Sequence, residues 1–313
     1  MRERRILIVG AAGQVGRELQ RSFAGCGVLT CVDRDDVDLA QPDQVRTLVR
    51  NTQPDVILNA AAYTAVDRAE SEPDAAMAIN AEAPRVLAEE AQRRGALLVH
   101  YSTDYVFDGT KQGAWVEDDT PHPLNAYGAS KLAGEQAIRK VGGRYLILRT
   151  SWVYGPHGNN FLLTMLRLGR ERETLRIVDD QHGAPTSSIA LADATCALVE
   201  GVLSGRLGAA DTWTGLYHST CAGSTTWYGF AQAIFARAGA LLAGRRPVLT
   251  PISSSDYPMP ARRPYNSVLS NARLQERFDV KLAAWESALD AVFDRLNREA
   301  PADVQPGASA VQR

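Results

Sequence analysis

Tyr127 and Lys131 stand four residues apart in the helix-like run Asn125-Ala126-Tyr127-Gly128-Ala129-Ser130-Lys131. That spacing puts a phenol and an ammonium on one helix face. An unperturbed tyrosine titrates near ~10 and is a poor proton donor or base at neutral pH, whereas a neighbouring cation favours the phenolate. Lys131 is therefore expected to draw the Tyr127 pKa toward the working range. Such pairs also occur on ordinary helix surfaces, so the chemistry depends on what else the chain brings to them.

Three earlier stretches bring a candidate cofactor site. The apolar run 5–9 ends in Gly10-Ala11-Ala12-Gly13-Gln14-Val15-Gly16, and helical periodicity follows. Strand, turn and helix in this order, with glycines at 10, 13 and 16, let the backbone approach a pyrophosphate at the free N–H groups of the helix start, where Gln14 and Val15 also lie. A second strand, 28–32, ends at Asp33-Arg34. The acid suits ribose hydroxyls and the arginine a 2′-phosphate, which leaves both NADH and NADPH open. Asp38 and Leu39 lie where a loop can touch the adenine, and a solvated turn fits them equally well. A third strand, 55–58, runs into Asn59-Ala60-Ala61-Ala62-Tyr63, small residues of the kind a flat cofactor needs at a strand end.

The strand beginning at Leu97 carries Ser102-Thr103-Asp104 toward the crevice where open parallel sheets bind ligands, with Ser102 expected on the cofactor's side. Thr103 is placed to bond a substrate carbonyl oxygen together with Tyr127. His100, in the same strand, reads as a packed core residue.

The elements that must hold these groups alternate strand and helix up to a strand at 144–150, as in an α/β, Rossmann-type doubly wound parallel sheet. One long helix is expected over 69–94. Beyond residue 155 the alternation weakens, and five prolines fall within 247–264. The expected division is a dinucleotide-binding domain over 1–153, with returns to the sheet at roughly 174–222, a smaller substrate domain over 154–298, and a disordered tail over 299–313. At 313 residues and 45% apolar composition, the chain is long enough for both. A net charge of -2 offers no overall field for nucleic acid or an anionic membrane, and no run is long enough to span a bilayer. The four cysteines lack metal or disulfide spacing, which points to the cytoplasm, and no histidine cluster suggests a metal.

With the glycine turn, Thr103, Tyr127 and Lys131 in hand, the chain resembles the extended short-chain dehydrogenase/reductase superfamily. Within it, the dTDP-4-dehydrorhamnose reductase family is the close match. Ser102-Thr-Asp-Tyr-Val-Phe107, Thr150-Ser-Trp-Val-Tyr154, Asp180-Gln-His-Gly-Ala-Pro-Thr186 and Arg263-Pro-Tyr-Asn-Ser267 carry the resemblance, which runs from residue 6 to about 295. It implies reduction of the C4 ketone of dTDP-4-dehydro-L-rhamnose by NADPH or NADH. Tyr127 would donate the proton, Lys131 would hold the nicotinamide ribose, and Thr103 would orient the carbonyl. Asp104, Tyr105, Trp152, Asn160 and Arg263 would meet the dTDP-sugar: an aromatic face, an amide, and a cation suited to a diphosphate. A homodimer is open, and some family members bridge theirs with Mg²⁺. Glu18 sits at one such position here, but Ser187-Ser188-Ile189 stands where a second acid is expected, and isoleucine cannot ligate Mg²⁺. No bound metal is expected. Two rival functions share the fold: a nucleotide-sugar epimerase or dehydratase, and a non-catalytic regulatory subunit.

Overall fold

Ile6 and Ile8 face one core and Leu7 and Val9 another, as the two-residue period of a strand requires. In the computed structural model, which describes residues 3–239 and 241–299, they form β1 (Arg5–Val9), an interior strand of a sheet covered on both sides. The nucleotide-side elements follow as α1 (Gln14–Ser22), β2 (Val28–Val32), α2 (Pro42–Thr52), β3 (Val56–Asn59), α3 (Val66–Ala69), α4 (Pro73–Met77), α5 (Ala83–Arg94), β4 (Leu97–Thr103), α6 (Ala126–Val141) and β5 (Arg144–Thr150). Beyond them come β6 (Val153–Tyr154), α7 (Phe161–Glu171), β7 (Thr174–Val178), β8 (His182–Gly183), β9 (Thr186–Ser187), α8 (Ser188–Leu203), β10 (Gly215–His218), β11 (Thr225–Thr226), α9 (Trp227–Arg237), β12 (Val248–Ile252), α10 (Ala272–Phe278) and α11 (Trp285–Glu299).

The central sheet is parallel throughout, in the order β10-β5-β4-β3-β1-β2. Leu19 of α1 and Leu191 and Leu198 of α8 cover one face. Val45 and Val49 of α2, Val86 and Leu87 of α5, and Ile138 of α6 cover the other. This is the doubly wound α/β sheet that the alternation implied. Strand order reverses between β1 and β3, and the crevice beyond their C-terminal ends is where such sheets bind ligands.

Two expectations change in detail. The helix over 69–94 is broken: α3 ends at Ala69, a new helix starts with Pro73 in its first turn, and a π-helical stretch at Ala78–Glu82 precedes α5. Pro73 and Pro84 are the physical reason, since neither has an N–H to donate back along a regular helix. Of the segment 174–222, β10 joins the central sheet as its sixth strand, whereas β7 pairs with β12 in a separate two-stranded sheet. That small sheet packs with α7, α9 and α11 around a core of its own, including Phe230, Ile234, Trp285 and Leu289. Apart from Glu299, the end of α11, the tail expected over 299–313 lies outside the described residues.

Candidate active site

The glycine turn is a cradle that only glycine fits. Gly10 has φ +83°, and a Cβ on Gly16 would lie 2.0 Å from the Gly10 carbonyl oxygen. Gly13 is the N-cap of α1 and supplies no side chain to the first-turn amides. Those N–H groups, with Gln14 and Val15 among the first helical residues, therefore point into the crevice as an anion site. Across it runs the 60–63 segment, close enough that a Cβ on Gly10 would lie 2.7 Å from the Ala61 nitrogen. These residues fit a bound dinucleotide. Asp33 follows β2 directly and turns its carboxylate back to the Asp35 N–H (3.0 Å), while Arg34 is exposed beside it. Asp38 likewise accepts from Ala40 N–H (2.9 Å), and Leu39 packs against the core under α2.

Tyr127 and Lys131 occupy the first turns of α6, whose N-cap Asn125 accepts from the Gly128 N–H (2.8 Å). Lys131 is buried and donates to the carbonyl oxygen of Tyr101 (2.6 Å), with Nε2 of His100 at 3.3 Å. Burial lowers its pKa to about 8, against an opposing pull from Glu135. The Tyr127 ring retains some exposure, but desolvation pushes its hydroxyl up to about 12; a hydrogen bond to Thr103 lowers it and the Asp104 charge raises it further. The expectation that Lys131 would depress this pKa is thus corrected: the ammonium is turned to β4, and desolvation dominates. A phenol that keeps its proton at neutral pH is the form a proton donor needs.

Thr103 ends β4 and donates to Asp104 (3.0 Å) while accepting from the Tyr105 N–H (3.2 Å). Burial raises the Asp104 carboxyl to about 7, and its Oδ2 lacks a hydrogen-bond partner. Tyr105 stands edge-on to Tyr127, 5.6 Å between ring centres.

Under these groups lies a network that sequence reasoning missed. Ser102, assigned to the cofactor, instead donates to Glu135 (2.5 Å), and Glu135 takes two hydrogen bonds from Arg149 (2.8 and 2.6 Å). His100 is neutral, its pKa held well below the usual value by burial and then by Lys131, and its Nδ1 lies 3.0 Å from the Asn59 amide. It belongs to the site rather than to inert core. Asn80, in the π-helical stretch, binds both the N–H and the C=O of Tyr63 (2.8 and 3.0 Å) and Ser130 (3.0 Å), tying the 60–63 segment to α6. Two signals were available: Glu135 lies one turn beyond Lys131, and Asn80 interrupts an apolar run just before Pro84.

The residues expected to meet the sugar nucleotide divide. Trp152, two residues beyond β5, holds φ +47° and stacks on Trp227 at 3.6 Å and 6°. Asn160 caps α7 and uses its amide on Gln14 (2.9 Å) and on the carbonyls of Gly155 and His157. It joins the glycine turn to α7, and a substrate would have to displace those bonds. Arg263 is likewise engaged, holding Asp67 through two hydrogen bonds (3.1 and 2.8 Å), so it is no free cation awaiting a diphosphate.

The residues do not fit Mg²⁺. Glu18 accepts from Arg295 (2.7 and 2.8 Å) and Arg21 (2.8 Å), so guanidinium groups surround its oxygens, and Ile189 packs against the second core.

The RmlD substrate binding domain family matches residues 4–298. A dTDP-4-dehydrorhamnose reductase of Burkholderia thailandensis is 50% identical, covering 91% of this chain and 96% of that protein. The solved dTDP-4-dehydrorhamnose reductase of Bacillus anthracis, in complex with NADP, is 36% identical, covers 94% of this chain and 100% of its own, and superposes with a TM-score of 0.84. The UDP-glucose 4-epimerase of Thermus thermophilus shares the fold at 21% identity and a TM-score of 0.73, covering 95% of this chain and 100% of its own.

Proposed function

The chain belongs to the dTDP-4-dehydrorhamnose reductase family, an NAD(P)H-dependent oxidoreductase acting in dTDP-rhamnose synthesis, and from that premise we propose that Tyr127, Lys131 and Thr103 carry the reduction. The substrate is the C4 ketone of dTDP-4-dehydro-L-rhamnose and the product dTDP-L-rhamnose. NAD(P)H, when bound, supplies the hydride. The α1 amides behind the glycine turn hold the pyrophosphate, and the 60–63 segment lies along the other wall. Thr103 orients the carbonyl oxygen. Tyr127 gives that oxygen its hydroxyl proton as the C–O double bond becomes single, and its phenolate is then restored from solvent. Lys131, anchored by the Tyr101 carbonyl, faces the nicotinamide ribose.

The observation that carries this reading is the buried Tyr127 hydroxyl, which desolvation holds above its usual pKa, hydrogen-bonded to Thr103 at the C-terminal end of β4. An intact donor and its partners count against a non-catalytic subunit. Asp104, Tyr105 and the Trp152–Trp227 stack form the sugar side of the proposal, with Arg263 acting through Asp67. The nucleotide-binding part over 1–153, completed by α8 and β10, and a substrate part built on α7, α9 and α11 are the proposed domains. The enzyme is placed in the cytoplasm, which its four free cysteines support, and among the described residues no helix is long and apolar enough to cross a membrane. A homodimer, if formed, is not bridged by magnesium, because Glu18 is held by arginines.

Oxidation of NADPH and NADH with dTDP-4-dehydro-L-rhamnose, beside matched UDP and GDP keto-sugars, tests the reading. Stoichiometric cofactor oxidation with the dTDP sugar is expected. Turnover without net consumption of NAD(P)H would mark an epimerase instead.

A further inference from the structure

The Ala61 N–H donates to Oδ1 of Asn59 (3.3 Å). A backbone N–H can only donate, so this contact orients the amide and turns Nδ2, also a donor, toward Nδ1 of His100 at 3.0 Å. Nδ1 is then the acceptor. A neutral imidazole carries a single hydrogen, which must sit on Nε2. That nitrogen lies 3.3 Å from Nζ of Lys131, whose other hydrogen bond runs to the Tyr101 carbonyl oxygen at 2.6 Å. An ammonium there would set donor against donor. An uncharged amine instead accepts from His100 and still donates to Tyr101, so every donor meets an acceptor.

We propose that His100 is a positioning residue for Lys131: the hydrogen bonds from Ala61 through Asn59 fix its Nε2–H tautomer, and that tautomer favours the neutral amine of Lys131 in the cofactor-free chain. The proposal deepens the function above and rests on Lys131 belonging to the reaction.

The surroundings bear it out. Lys131 and His100 are each at most 2% exposed. Glu135, one turn along α6, favours the ammonium, but it already accepts from Arg149 and Ser102. Asp104, just past the end of β4, raises the Tyr127 hydroxyl one turn back on α6, and burial is the larger cause of the lowered His100 pKa. Charging Lys131 requires the ring hydrogen to move to Nδ1 and the Asn59 amide to rotate, which gives up the Ala61 bond. The charge on Lys131 is thereby linked to the segment that lines the cofactor crevice.

The tautomer can be read directly by ¹⁵N NMR of the cofactor-free chain labelled at histidine, with the His100 signals assigned as those lost in His100→Gln, or in His100→Asn if the first does not fold. A bare Nδ1 and a protonated Nε2 are expected; a protonated Nδ1, alone or with Nε2, overturns the proposal. Asn59→Asp then reverses the chain, because a carboxylate can only accept: the hydrogen should move to Nδ1, and the pH at which the Lys131 ¹⁵Nζ signal of the cofactor-free chain titrates should rise by about one unit. A Lys131 titration that stays in place after the tautomer has flipped also overturns it. Since the ring nitrogens are read without turnover, a fully active Lys131→Met would sink the catalytic assignment separately from the tautomer.

Discussion

On one side of the crevice, Tyr127, Lys131 and Glu135 ride on the single helix α6 and meet His100, Ser102 and Thr103 from the single strand β4. On the other side, Asp67, Trp152, Trp227 and Arg263 come from separate segments that meet only when the chain has folded. The first group is almost sealed, and its charges are matched inside the protein: Arg149 and Glu135 are each 1% exposed. The second keeps contact with solvent, its Asp67–Arg263 pair being 31% and 21% exposed. On the proposed assignment, a proton must be delivered over a fixed short distance, so rigid elements hold the proposed donor, whereas a sugar nucleotide has to enter and leave, so part-exposed loops would form its walls.

The sharpest break in this comparison is at the donor. Tyr127→Phe keeps the ring that packs edge-on with Tyr105 and removes only the hydroxyl. Loss of a general acid costs roughly 10²–10⁴-fold in rate. We expect kcat to fall by that amount while NADPH affinity, followed by fluorescence titration, and thermal stability stay as they were. A decrease of less than about tenfold would remove Tyr127 from the donor's role.

The support beneath the donor should matter for stability more than for affinity. Arg149→Met leaves Glu135 without its hydrogen-bonded cation in a sealed site, and breaking a buried pair in this way costs about 3–5 kcal/mol. Urea denaturation is expected to show a loss of that size. A change below about 1 kcal/mol, as for an exposed pair, would mean that water reaches Glu135 and that the two sides are not built differently.

The comparison also explains what could be read in advance. Gly10, Gly13 and Gly16, with Tyr127 and Lys131, are local patterns: their proposed roles follow from neighbours in sequence, and strand–helix alternation implies the parallel, doubly wound sheet around them. What stayed hidden depends on residues far apart. Nothing near Arg263 announces Asp67, and nothing near Asn160 announces Gln14, so both side chains read as available for substrate when the fold had already engaged them. The direction of the Tyr127 shift failed for the same reason. Four residues of spacing place Lys131 on the right face, but the Tyr101 carbonyl that takes its hydrogen bond, and the packing that desolvates the phenol, are tertiary.

The smallest expected effect lies on the solvent side, at Asp67→Asn. Asp67 accepts from both terminal nitrogens of Arg263 and from the Ala261 N–H (3.1 Å), so the wild-type carboxylate tethers the loop that also receives the Asn125 amide at the Arg262 carbonyl. Both partners are open to solvent, which limits the stabilisation to at most about 1 kcal/mol. The Arg263 hydrogen bond, with the Ala261 N–H, holds the Asp67 pKa below its usual value despite burial. A depressed carboxylate pKa means that this stabilisation is fully present above the unfolded pKa of about 4 and fades as pH falls through the lower folded value. The gap in melting temperature between wild type and Asp67→Asn should therefore be small and constant from about pH 6 to 8, and should close in acid. A gap that widens below about pH 4 would mean that Asp67 is not the charged partner. With the tether loosened, KM for the sugar nucleotide should rise a few-fold while kcat and the KM for NADPH hold. An equal rise in both KM values would place this loop at the cofactor and erase the division between the two sides.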